Sequence, residues 1–130
     1  MVVFPPSTGV PPVARKTVLV VDDDRDLRRM FATSLKFAGF DVREASDGTD
    51  ALNAIDDDAP DVLVLDIGLP TLDGVSVREE LAARAATRNL PVVVVSGINI
   101  DGSLFRKDCV LRKPVTPEQL VAAVRKCLEL

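Results

Sequence analysis

The chain has 130 residues, enough for one domain with a real core and too few for two ordinary ones. Its 47% hydrophobic and 28% charged residues match a soluble globular composition, and no apolar run approaches the roughly 20 residues a membrane helix needs. A net charge of −4 argues against a nucleic-acid footprint, and the absence of His with only two Cys, Cys109 and Cys127, argues against zinc sites and His-dependent nucleophiles.

Residues 1–15 read as a flexible, Pro-rich lead-in to a single domain over 16–130. The segment lacks a basic start, and Pro5, Pro6, Pro11 and Pro12 break its apolar residues, so it does not read as an export signal. The expected compartment is the cytoplasm, with both Cys reduced and acting as small hydrophobes. The run Val18 to Val21 follows, continuous and β-branched, as suits a strand buried on both faces of a parallel sheet. Leu27, Met30, Phe31, Ser34, Leu35 and Ala38 then repeat at helical spacing, with Gly39 where a helix end belongs. Asp41 to Ala45 fits a weaker strand and Gly48 to Ile55 a short helix. Val62 to Leu65 is a second continuous apolar run, and Val75 to Ala86 is rich in good helix formers.

Val92 to Val95 repeats the buried-strand pattern. From Gly97 to Asp108, Gly, Asn and Asp predict a loop with at most one or two helical turns. Val110-Leu111 is a short fifth strand. Thr116, Pro117 and Gln119 form the signature of a capped helix start, and Leu120, Val121, Val124 and Leu128 give that last helix its apolar stripe. Strands alternating with helices imply a doubly wound α/β sheet.

Each strong strand ends in a polar residue: Asp22-Asp23-Asp24, Asp66, Ser96 and Lys113. In a parallel sheet these ends share one edge, where open α/β sheets bind ligands. Clustered carboxylates repel, and a hard divalent cation such as Mg²⁺, with Mn²⁺ as its substitute, relieves that repulsion. A Ser and a Lys beside such a cation suit a phosphoryl group, and a carboxylate can serve as its nucleophile.

These residues carry a resemblance. Val18–Asp24, Phe40–Gly48, Asp61–Gly74, Pro91–Gly97 and Leu111–Pro114 together resemble the receiver domains of response regulators, the CheY-like class. Asp23 lies 43 residues before Asp66 and Ser96 lies 30 after it. The resemblance implies a five-stranded parallel sheet in the order 2-1-3-4-5 with helices on both faces. It implies Asp66 as phosphoacceptor. Asp22, Asp23, Asp66 and the backbone carbonyl of Gly68 would be Mg²⁺ ligands. Ser96, Gly97 and Lys113 would surround the phosphate, and a cis peptide would precede Pro114. The implied function is two-component or phosphorelay signalling. A phosphoryl group would come from a phosphohistidine on a sensor kinase or phosphotransfer protein, with self-catalysed transfer and loss rather than turnover of a substrate. No output domain follows before Leu130, so signalling through contact with a downstream protein is expected, without direct contact to nucleic acid or insertion into a membrane.

The chain departs from this family in two places. Lys113 lies only 17 positions after Ser96, which implies a short or absent fourth helix, and Val110 stands where the family often has an aromatic switch residue. Ser96, Val110 and Pro114 are the expected output positions, with Phe105 a substitute aromatic. Two other functions compete. A docking module could keep the fold without the chemistry, and a phosphatase resembling the haloacid-dehalogenase class could use the Asp-x-Asp of Asp22 and Asp24. Asp24 reads as a helix cap, Asp73-Gly74 as a turn, and Asp56-Asp57-Asp58 as a solvated helix end.

Overall fold

The computed structural model describes residues 15–68, 74–97 and 109–128. In chain order the elements are β1 (Thr17–Val21), α1 (Arg25–Phe37), β2 (Asp41–Ala45), α2 (Gly48–Asp57), β3 (Val62–Asp66), α3 (Gly74–Ala83), β4 (Val92–Ser96), β5 (Cys109–Arg112) and α4 (Pro117–Cys127). The five strands form one all-parallel sheet in the order β2-β1-β3-β4-β5, as the resemblance implies. Residues 1–14 and the segment 98–108, including Phe105 and the loop expected there, lie outside the described residues.

Strand alternation divides the core into two layers. Val18, Val20, Val62, Val64, Val93 and Val95 face α1 and α4, meeting Phe31, Leu35, Leu120 and Val124. Leu19, Val21, Leu63, Leu65, Val92 and Val94 face α2 and α3, meeting Ala51, Ile55, Val77 and Leu81. Three strands buried on both faces are why their sequences are continuous apolar runs instead of alternating ones. Cys109 and Cys127 pack at the margin of the first layer, in keeping with their expected role as small hydrophobes.

The helix ends follow local chemistry. Asp24 caps α1 by accepting from the Leu27 amide at 3.1 Å, and Gly39 follows the helix with φ at 102°. Thr116 and Gln119 complete the expected reciprocal cap of α4. Met30, placed by its spacing on the buried stripe of α1, is exposed, and the buried face instead centres on Phe31, Ala32 and Leu35. Helix α2 runs two residues beyond its expected end, to Asp57. Helix α3 stops at Ala83, short of the expected Ala86. The buried Thr87 hydroxyl donates to the Leu81 carbonyl at 2.8 Å, taking the acceptor that a further helical turn would have used.

Candidate functional site

The parallel ladder runs past the strand ends and carries the polar residues with it. The Asp22 amide donates to Ala45 O at 3.2 Å, Ile67 to Val95 O at 3.2 Å, and Lys113 to Ser96 O at 2.7 Å. Asp22, Asp66 and Ser96 are consequently held at one edge and are buried, at 1%, 6% and 1% exposure. Asp23 is exposed beside them. Carboxylate oxygens of Asp22, Asp23 and Asp66 all lie within 4.8 Å of one another.

Backbone donors and the Lys113 ammonium hold these carboxylates. Asp22 Oδ1 accepts from the Asp24 amide at 2.9 Å, and Asp66 Oδ1 accepts from the Gly68 amide at 3.1 Å. Lys113 Nζ sits 3.4 Å from Asp66 Oδ2 and 3.7 Å from Asp22 Oδ2. Burial pushes the Asp22 carboxyl up from 3.8 to about 6, and the negative charges of Asp66 and Asp23 push the same way. The Asp24 amide and Lys113 act against that rise without cancelling it. Oxygen-only donors, packed closely and partly uncompensated, fit a hard divalent cation of the Mg²⁺ class.

The structure thus brings Asp22, Asp23, Asp66 and Lys113 together, with Ser96 at the end of the neighbouring strand. Gly97 follows Ser96, and a Cβ added there would have nothing within 4 Å. The Lys113–Pro114 peptide is cis, as expected. Val110, on β5, is 40% exposed. Asp24 takes no part in the cluster's carboxylate set, because its side chain is committed to capping α1.

Three participants escaped the sequence. Gly74, read as part of a turn, donates to Ile67 O at 2.9 Å; a Cβ there would lie 2.6 Å from Asp66 O and from Ile67 Cα. Only glycine lets α3 start against the backbone of the acidic strand end. The Gly that follows Asp73 was the available signal. Arg28 donates from Nη1 to Asp22 O at 2.9 Å, and its Nε meets Glu44 Oε1 at 3.1 Å. No local spacing pairs the two residues; the β1–β2 register, which sets Val20 beside Glu44, joins them.

Known proteins share this architecture. The family model for the response regulator receiver domain matches residues 18–125. Response regulator MprA of Mycobacterium avium (strain 104) is 40% identical over 116 residues, covering 85% of this chain and 50% of its own length. MprA of Mycobacterium tuberculosis (strain ATCC 25618 / H37Rv) matches to the same extent. The chain spans about half the length of these curated relatives. Among solved structures, the receiver domain of NtrX from Brucella abortus is 35% identical with a TM-score of 0.77, over 86% of this chain and 98% of that one. The chemotaxis protein CheY4 of Vibrio cholerae is 25% identical with a TM-score of 0.81, over 88% and 99%. The chain belongs to the response regulator receiver domain family.

Proposed function

We propose that Asp66 accepts a phosphoryl group from a phosphohistidine on a sensor kinase or a histidine phosphotransfer protein. The observation that carries this reading is the setting of Asp66, with Lys113 Nζ 3.4 Å from its Oδ2 and carboxylate oxygens of Asp22 and Asp23 within 4.8 Å. Asp22 and Asp23, with Asp66 and the Gly68 carbonyl, would hold Mg²⁺. Bound there, the cation neutralises the carboxylates and the incoming phosphoryl oxygens. A carboxylate oxygen of Asp66 forms the bond to phosphorus as the P–N bond breaks, and the imidazole nitrogen leaves with the electron pair. Lys113 moves from the Asp66 carboxylate to a phosphoryl oxygen, Ser96 donates its hydroxyl to another, and the small Gly97 leaves room for the donor.

Since Asp66 is itself the nucleophile, a small donor replaces the kinase, and loss of the group needs only water at the same site. The phosphorylated form signals by contact with a downstream protein, through Ser96 at the end of β4, Val110 within β5 and Pro114 just beyond it. The commitment of Asp24 to capping α1 disfavours the Asp-x-Asp phosphatase reading.

Intact mass after incubation with acetyl phosphate and Mg²⁺, with Asp66→Asn as control, tests this. A one-phosphoryl increment confined to the wild type is expected. No increment in a folded wild type, with acetyl phosphate or with a phosphohistidine donor, would leave a docking module without phosphoryl chemistry.

A further inference from the structure

We propose that Arg28 is a positioning residue. It fixes the peptide that joins the two acidic cation ligands, and Glu44 holds Arg28 in that pose. This rests on reading Asp22 and Asp23 as the ligands.

The Asp22–Asp23 peptide is planar, so the direction of the Asp22 carbonyl sets the position of the Asp23 amide and Cα. That carbonyl accepts from Arg28 Nη1 at 2.9 Å. The other face of the guanidinium meets Glu44 Oε1 through Nε at 3.1 Å, and the Arg28 side chain is only 14% exposed. The Asp22 amide, meanwhile, donates to Ala45 O at 3.2 Å. Both backbone polar groups of Asp22 are thereby tied to consecutive residues of β2, one directly and one through Arg28. The exposed Asp23 carboxylate projects from this doubly held turn. The fork geometry of the guanidinium is what spans carbonyl and carboxylate at once; an ammonium offers a point charge on one flexible stem.

Electrostatics alone predicts the opposite outcome. A guanidinium beside a carboxylate cluster repels a divalent cation, so its removal would tighten cation binding. If Arg28 positions the turn, its removal weakens binding despite the lost repulsion, by about tenfold, as is usual for residues that orient metal ligands.

The test is Mn²⁺ binding read from the electron paramagnetic resonance signal of the free ion, with Mg²⁺ as competitor. This suits a chain with no Trp and no Tyr. Arg28→Met and Arg28→Lys are both expected to bind about tenfold more weakly than wild type, with circular dichroism confirming the fold of each. Equal or tighter binding by Arg28→Met, or wild-type binding by Arg28→Lys, overturns the proposal; the Lys variant decides if the Met variant fails to fold. Loss of Mn²⁺ binding in Asp22→Asn distinguishes the two levels. If wild type and Asp22→Asn bind alike, the ligand assignment has failed; if they differ while Arg28→Met matches wild type, only the positioning role has.

Discussion

The two flanks of the sheet reach the same site in different ways. On the β2–β1 flank the acidic turn is held at several points: Asp22 through its amide, its carbonyl and its buried carboxylate, and Asp24 through the α1 cap. On the β4–β5 flank one backbone bond, from Lys113 to Ser96 O, brings in a long side chain that remains partly exposed. Alternate residues of β5 face solvent. Under the proposed function the difference separates two tasks. Carboxylates that must converge on a cation need fixed directions, because their mutual repulsion would otherwise spread them. An ammonium that must follow an oxygen from carboxylate to phosphoryl group needs reach instead.

The largest expected effect lies between the flanks. Gly74→Ala places a Cβ 2.6 Å from two backbone atoms of the Asp66–Ile67 segment, and neither can rotate away. We expect a loss of about 3 kcal/mol in urea unfolding, in the range for overpacked sites, together with slower phosphoryl uptake from acetyl phosphate. Unchanged stability would mean that the floor of the site is softer than either flank.

Asp22→Asn tests the rigid flank with the opposite sign. Asp22 titrates near 6 in the fold against 3.8 for the ordinary group, so the folded chain retains a proton that the unfolded chain releases between those values. Folded stability from this group is full below about pH 4 and is lost as pH rises through about 6. The Asn variant escapes that loss and keeps an oxygen for the Asp24 amide. Without metal, it should be about 1–2 kcal/mol more stable than wild type at pH 7, with the gap closing toward pH 4. Thermal unfolding across that range checks the sign, and added Mg²⁺ should stabilise only the wild type.

Much of this was legible in the sequence because local signals agreed with the fold. Val18–Val21, Val62–Leu65 and Val92–Val95 are apolar on both faces, and that pattern alone implies a covered parallel sheet whose ends converge. The α4 cap was equally local, written in Thr116, Pro117 and Gln119. What escaped depends on register and close approach. Arg28 and Glu44 are 16 positions apart and meet only once β1 pairs with β2. Gly74 matters for the backbone beside it, which no spacing rule reports. The early end of α3 turns on one buried hydroxyl, that of Thr87, within an Ala-rich stretch that favours helix.

The adaptable flank is tested by two milder substitutions. Lys113→Ala removes the cation that counters Asp22 and Asp66, so the metal-free protein should lose about 1 kcal/mol at pH 7, a modest effect for a partly exposed ion pair. Mg²⁺ binding should persist, since no ligand is lost, while the phosphorylated form accumulates less in the intact-mass assay. Wild-type behaviour in both assays would remove Lys113 from the site. Val110→Tyr should have the smallest effect. The position is 40% exposed on a strand that alternates toward solvent, and a bulky β-forming side chain can extend outward there. Stability should stay within about 0.5 kcal/mol and labelling by acetyl phosphate should be unchanged. A loss above about 1.5 kcal/mol would show that β5 is packed as closely as β1, and the contrast between a fixed and an adaptable flank would fail. An unchanged fold with altered labelling would instead place Val110 in communication with Asp66, two strands away across β4.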